Sequence, residues 1–258
     1  MPNVKVCVIR TAGTNCDKET AFAFTKAGAQ PEFVHINNLV TGESNLSDYK
    51  ILALPGGFSY GDDIASGKVF ANELRCKLAE QLRKFISDGK LIIGICNGFQ
   101  ILVKSGLLPG NKDFIQEASL IINDSGKFED RWVYLKSSGK CVWTKDLPET
   151  IYLPVAHGEG KFIVKDKVLL NKLKANGQVI FRYCDAKGKS AGYPDNPNGS
   201  LDDIAGITDD TGRILGLMPH PERHIEIHQH PRWFSLENKE HGDGLNIIKN
   251  GVEYARKI

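Results

Sequence analysis

The stretch LIIGICNGFQIL, Leu91 to Leu102, constrains this chain more than any other. Leu91, Ile92, Ile93, Gly94 and Ile95 form a short, apolar, β-branched run, the pattern of a strand buried on both faces of a parallel sheet. From Asn97 to Val103 the pattern continues as a mostly apolar helix, so Cys96 is expected in a tight strand-to-helix turn, the geometry of a nucleophile elbow. Gly94 and Gly98 flank the cysteine at minus and plus two; lacking Cβ, they let backbone approach where the turn is sharpest, and a larger residue at either place is expected to clash. The first helix amides and the positive end of the helix dipole point back at the sulfur and favour thiolate.

An isolated cysteine after a strand is more simply a buried structural residue. The full G-x-C-x-G-x-Q pattern makes Cys96 a candidate nucleophile if a histidine and an orienting carboxylate serve it. His220, in Met218-Pro-His-Pro-Glu-Arg223, is the best candidate, because Glu222 lies two residues on and Pro219 and Pro221 restrict the backbone between. On an extended segment residues two apart share a face, so Glu222 can hold one imidazole nitrogen while the other faces Cys96. His-x-Glu alone would be a turn histidine beside a solvated glutamate; the elbow gives it meaning.

The rest of the chain reads as one domain over 1–258 alternating strand and helix. Val4 to Ile9, Glu32 to Ile36 and Ile51 to Leu54 are expected strands, with a helix from about Asp17 to Ala27 that Gly28 stops. Phe70, Leu74, Leu78, Leu82 and Phe85 mark one stripe of a long helix between Ile64 and Ile86. From Ile115 to Val155 the pattern shifts to short β-like pieces, among them Trp132 to Leu135 and Ile151 to Val155. Gln178 to Tyr183, Ile204 to Thr208 and Ile214 to Leu217 are further strands, and Leu245, Ile248, Val252 and Ala255 define a closing amphipathic helix. The expected fold is therefore α/β: a doubly wound, mostly parallel sheet with helices on both faces and an antiparallel β addition.

Composition narrows the function classes. Lys and Arg number 33 against 31 for Asp and Glu, a net charge of +2 with no long basic block, so nucleic acid binding is not indicated. The six cysteines are scattered without a C-x-x-C pair, which suggests neither a disulfide framework nor a zinc site. With no secretory h-region and no apolar run of membrane-spanning length, a reducing cytoplasm is the expected location.

A second loop, LPGGFSYGDD from Leu54 to Asp63, follows the third strand. Adjacent Gly56 and Gly57 can turn a backbone amide toward a tetrahedral oxyanion, with the amide of Asn97 assisting; a simple glycine turn is the rival reading. The stretch Gly188 to Ser200 is dense in Gly, Pro, Asn and Ser and reads as a loop, either a surface turn or a loop lining a site or a partner contact.

G-I-C-N-G-F-Q with H-P-E resembles the class I (triad) glutamine amidotransferases, which have a flavodoxin-like fold. LPGGFSYGDD, GICNGFQIL, PVAHGEGKF, NPNGS with DIAGI, and GLMPHPER resemble, more narrowly, the glutaminase subunits of phosphoribosylformylglycinamidine synthase, over about residues 4–223. The tail, about 224–258, fits less well. The resemblance implies that Cys96 attacks the side-chain amide of L-glutamine, His220 protonates departing ammonia and then activates water, and Glu222 orients His220. It implies too that Gln100 and the backbone of His157, Gly158 and Glu159 hold glutamine, and that the ammonia passes to a large synthetase subunit in purine biosynthesis, with a small accessory subunit as a further partner.

The chain has no G-x-x-x-x-G-K-[ST] loop, so ATP and Mg²⁺ are expected on the synthetase and no cofactor here. His220, His224 and His228 recur every four residues near Glu226 and His230, as a helical metal site would, but Pro219 and Pro221 argue against a regular helix, and no metal is expected. Two other readings stay open: a cysteine hydrolase of the same fold acting on peptides or small amides, and a regulatory subunit that keeps the fold only to bind a partner.

Overall fold

A computed structural model describes residues 3–110, 113–138, 141–235 and 240–258. Along the chain β1 (Lys5–Arg10), α1 (Asp17–Lys26), β2 (Gln30–His35), α2 (Ile36–Thr41) and β3 (Ile51–Leu54) alternate. Next come α3 (Lys68–Lys77), α4 (Ala79–Ser87), β4 (Leu91–Ile95) and α5 (Asn97–Lys104). β5 (Ala118–Ile121), β6 (Glu129–Ser137), β7 (Thr150–His157) and β8 (Lys161–Val164) follow without an intervening α-helix. The chain finishes with α6 (Lys167–Ala175), β9 (Val179–Cys184), β10 (Ile204–Thr208), β11 (Ile214–Leu217) and α7 (Gly244–Ala255).

Nine strands form one mixed sheet in the order β2-β1-β3-β4-β11-β10-β9-β6-β7, and β5 pairs with β8 in a small antiparallel sheet. The pairings from β2 to β11 are parallel; those from β11 to β7 are antiparallel. The apolar runs account for this split. Every residue of β3, β4 and β11 is buried, as strands covered on both faces require. β7 instead alternates half-buried and buried, because an edge strand has one face toward solvent. α5 packs on β3, β4 and β11 and against α3, whereas α1 packs on β1 and β2 and against α7. The chain thus has the expected doubly wound half, and the β-like pieces after Ile115 are its antiparallel continuation.

The long helix expected between Ile64 and Ile86 is two helices, broken at Leu78, whose φ and ψ are −120° and 10°. The spacing explains the break. Each four-residue step overshoots a helical turn by about 40°, so a straight helix would carry the stripe well round its axis between Phe70 and Leu82. The kink resets the phase, and Phe70, Leu74, Leu78, Leu82 and Phe85 are all buried. The second strand also ends one residue early: Ile36 opens α2, whose first turn is capped by the His35 ring accepting from Asn37 N–H at 3.2 Å.

The tail is built into the same body, apart from residues 236–239, which lie outside the described residues. α7 buries Leu245, Ile247, Ile248, Val252 and Ala255, and Gly251 lets the Trp143 ring lie against its backbone.

Candidate active site

β4 delivers Cys96 to the C-terminal edge of the parallel strands, where crevices collect functional groups in open α/β sheets. Cys96 has φ 52° and ψ −106°, a left-handed conformation that disfavours a side chain and stores about 1–3 kcal/mol of strain. The surroundings hold it there. Its N–H donates to the Leu217 carbonyl at 2.8 Å, and the helix closes on its own carbonyl through Gln100 N–H at 3.1 Å. The flanking glycines behave as the sequence requires: a Cβ on Gly94 would lie 2.6 Å from the Gly98 carbonyl oxygen, and one on Gly98 would run into the Leu54 carbonyl.

The antiparallel half of the sheet curls back to meet this edge. The Pro154 carbonyl of β7 accepts from His220 N–H at 2.8 Å, and the Cys96 sulfur lies 3.7 Å from the Ala156 carbonyl. His220 Nδ1 is 2.6 Å from Glu222 Oε1, with side chains 2 % and 0 % exposed. Burial opposes the imidazolium, but the Glu222 carboxylate and the charge of Cys96 outweigh it and raise the His220 pKa well above its ordinary value. The three residues read from the two motifs are therefore brought together by the fold.

Beside them is a cavity of about 160 Å³ lined by Gly57, Cys96, Gln100, His157, Gly158 and Glu159 among others. Larger clefts of about 340 and 540 Å³ lie around the β10–β11 turn and contain none of these residues. Gly57, at φ +146°, leaves its own N–H out of the bonds that pin its loop, which run from Asn15 and Cys16 N–H to the Gly56 carbonyl (3.4 and 3.1 Å) and from Phe58 N–H to the Gly13 carbonyl (2.9 Å). The Asn97 N–H is one of the helix-start amides without an intrahelical acceptor. Its side chain braces the glycine loop, with Oδ1 accepting from Ser59 N–H at 3.3 Å and Nδ2 donating to Gln100 Oε1 at 2.9 Å.

Gln100 is more constrained than the motif suggests. Its amide donates to the Glu159 carbonyl at 2.6 Å, so both ends of the side chain are engaged and it ties α5 to the 157–160 turn. That turn is held from below by Asn123, which donates to the His157 carbonyl at 2.8 Å and accepts from Gly160 N–H at 2.9 Å. The Gly188–Ser200 loop lines the site from behind: Asn198 is fully buried, 3.4 Å from His157 Nε2 and 3.1 Å from the Tyr183 hydroxyl.

Sequence reasoning missed five further residues. The buried Lys104 donates to the Ser66 carbonyl at 2.6 Å and lies 3.6 Å from Glu159, while Asp62 accepts from the Ser66 hydroxyl at 2.9 Å. Cys16 is buried next to His220, and Arg223 donates to its sulfur at 3.0 Å. The signals were there: Cys16 follows the first strand at the same sheet edge as Cys96, and Arg223 closes the H-P-E motif. Of the other histidines, His224 and His230 pack together on Trp132. The segment folds as short 3₁₀ turns at Pro221–Arg223 and Ile227–Gln229, with His224 against Trp132 and exposed His228 on Glu226 at 2.9 Å.

Burial, with His220 beside it, pushes the His157 imidazole down to about 4 from 6.5. Between these values the unfolded chain binds a proton that the folded chain refuses, so stability rises with pH and is lost on acidification. Urea denaturation at pH 7 and pH 4.5 is expected to give an extra loss of about 2–3 kcal/mol that His157→Asn removes. An identical acid loss in the variant would assign it to other groups.

A profile of the CobB/CobQ-like glutamine amidotransferase domain matches residues 3–255. The phosphoribosylformylglycinamidine synthase subunit PurQ of Dehalococcoides mccartyi is 51 % identical, covering 100 % of this chain and 100 % of that protein. That of Methanococcus maripaludis is 46 % identical, over 98 % and 99 %. Among solved structures, PurLQS from Thermotoga maritima contains a chain superposing with a TM-score of 0.74 at 34 % identity, over 98 % of this chain and 99 % of that one. This chain belongs to the CobB/CobQ-like glutamine amidotransferase family and, within it, to the phosphoribosylformylglycinamidine synthase PurQ subunits.

Proposed function

We propose that the chain is the glutaminase subunit of a phosphoribosylformylglycinamidine synthase, acting in the cytoplasm and feeding ammonia to a large synthetase subunit for purine biosynthesis. The observation that carries this reading is the strained Cys96 elbow beside the buried His220–Glu222 pair, at a cavity of about 160 Å³ suited to one amino acid. The Cys96 thiolate attacks the carboxamide carbon of L-glutamine. The oxyanion that forms lies against the amides of Gly57 and Asn97. His220 gives its Nε2 proton to the departing nitrogen, ammonia leaves, and a γ-glutamyl thioester remains on Cys96. A water molecule then surrenders a proton to His220 and attacks the thioester, releasing glutamate and restoring the thiolate–imidazolium pair. Glu222 holds the imidazole by Nδ1 throughout. Gln100 and the backbone of His157, Gly158 and Glu159 form the glutamine cradle.

ATP and Mg²⁺ belong to the synthetase in this reading, and a small accessory subunit completes the assembly. The mouth of the cavity favours a partner there. Phe58 and Phe128 pair at its rim, both exposed, and Ile64 on the same loop is 89 % exposed. Tyr60, Asp62 and Ile64 hold that loop in left-handed conformations, so docking can select among its arrangements without touching the triad. Glutamate release by the full chain is expected to be weak alone and to rise sharply with the large synthetase, ATP and the acceptor nucleotide present. A lone chain already running at the rate of the complex would overturn this gating, and absence of glutamine hydrolysis in the complete complex would overturn the function.

A further inference from the structure

The cavity beside Cys96 carries an unbalanced charge. Asp62 and Glu159 line it, and no lysine or arginine does. Both carboxylates converge on Ser66: Asp62 Oδ2 accepts from its hydroxyl at 2.9 Å, and Glu159 Oε2 from its N–H at 3.4 Å. Lys104, buried behind that wall, stands 3.6 Å from Glu159 Oε2 and makes its short bond to the Ser66 carbonyl at 2.6 Å, so one cation faces two acids. The excess is felt within the pair, since burial and the charge of Glu159 raise the Asp62 pKa above its ordinary value. Glu159 is 26 % exposed, and its other oxygen, Oε1, takes no hydrogen bond from the described residues. Gln100 is engaged at both ends, by Asn97 and by the Glu159 carbonyl, and His157 is neutral, which leaves the two acids as the ionised groups on the wall.

We propose that Asp62 and Glu159 form the subsite that recognises the free α-ammonium group of the substrate, so that the site takes an α-amino acid amide and rejects carboxamides that lack that nitrogen or carry it acylated. This deepens the glutaminase reading and rests on it. The layout of the wall supports the assignment. The Ala156 carbonyl lies 3.7 Å from the Cys96 sulfur, Glu159 follows a few residues on, and Gln100, one helical turn after Cys96, ties the Glu159 backbone to α5. A short amino acid whose carboxamide carbon meets the sulfur therefore brings its α-carbon end to the acids. An ammonium between the two carboxylates removes their mutual repulsion and, with Lys104, leaves the wall neutral. A molecule without the ammonium brings only its own carboxylate into an anionic pocket. Glutaminyl peptides fail for a related reason: their amide nitrogen has no charge to offer.

The test changes substrate and side chain together. In the complete complex with the large synthetase, kcat/KM is measured for L-glutamine and for 4-carbamoylbutanoate, which keeps the carboxamide and the carboxylate and lacks the ammonium. The parent is expected to favour L-glutamine by at least about a hundredfold. Glu159→Gln and Asp62→Asn are each expected to lower kcat/KM for L-glutamine by about 10–100-fold, mainly through KM, because the ammonium contact is made alike in the ground and transition states. The loss with 4-carbamoylbutanoate is expected to be smaller by about tenfold, so the preference shrinks. A merely structural role would lower both substrates alike; parallel losses in both variants, or a parent that does not discriminate, would overturn the subsite. Binding is read separately on the parent complex as protection of Cys96 from iodoacetamide. L-glutamate is expected to protect at concentrations lower than glutarate by about tenfold or more, and equal protection, or none by either, would overturn the subsite. A complex that hydrolyses no glutamine, yet is protected selectively by L-glutamate, would overturn the function and leave the subsite standing.

Discussion

Cys96→Ala is expected to lower glutamine hydrolysis by about 10⁴-fold or more while a synthetase partner still uses free ammonia. The alanine keeps the backbone of the elbow and removes the sulfur proposed to attack the carboxamide. The variant stays folded: Cys96 is 6 % exposed, and its side chain contributes little to the core beyond the Cβ that alanine retains. The two assays separate the roles. On the proposed function glutamate release follows the sulfur, whereas ammonia-dependent synthesis follows the synthetase partner. Equal loss of both would mean that Cys96 supports the assembly rather than the hydrolysis, and the nucleophile would have to be sought elsewhere. The alanine also relieves no strain, since φ 52° disfavours any residue with a Cβ, so loss of activity cannot be attributed to a relaxed elbow.

The parallel half of the sheet was legible because burial on both faces leaves an unmixed apolar signal. Ile51–Leu54 and Ile214–Leu217 have the bounds the sequence suggests. The antiparallel half left weaker traces, since β6 and β7 each have a wet face and β6 pairs on its other side with β9, which is distant in the chain. The run from Phe70 to Phe85 misled because every position in the stripe was right while the axis was not straight. Periodicity reports which residues face the core; it does not report where a helix bends to keep them there.

The same distinction governs the site. Cys96, His220 and Glu222 were readable as candidates because each lies in a short motif whose chemistry is local. Gln100 was readable as a candidate, but its contacts are specified by the Glu159 carbonyl, which only the fold brings within 2.6 Å. Cys16 and Arg223 meet across almost the whole chain, so the sequence marks each position but not their contact. Asp62, Ser66, Lys104 and Glu159 form a network of the same kind. A buried lysine is costly alone and acceptable only when partners from two other loops reach it, which no local pattern records.

Glu222→Gln is expected to slow glutamine hydrolysis by about 10²–10⁴-fold with the fold intact. The carboxylate is wholly buried, and Oε1 makes the 2.6 Å contact to His220 Nδ1. Glutamine fills the same volume, so packing is preserved. Two things change. The negative charge that keeps the imidazolium stable against burial disappears, so the His220 pKa falls and the ring spends less time as a proton donor at neutral pH. The amide can also offer an N–H where the ring offers its own, which turns the imidazole or favours the tautomer with its proton on Nε2. Both effects weaken protonation of the leaving ammonia and the stabilisation of the Cys96 thiolate. The variant is therefore expected to alkylate at Cys96 more slowly at pH 7, and its activity is expected to decline at a lower pH on the alkaline side than in the parent. Glu222→Asp, which restores charge at a longer distance, is expected to recover part of the rate. A purely structural role would leave the pH profile in place and lower only the yield of folded protein. Near-parental turnover in Glu222→Gln would require another group to hold Nδ1, and the buried surroundings of His220 offer none among the described residues.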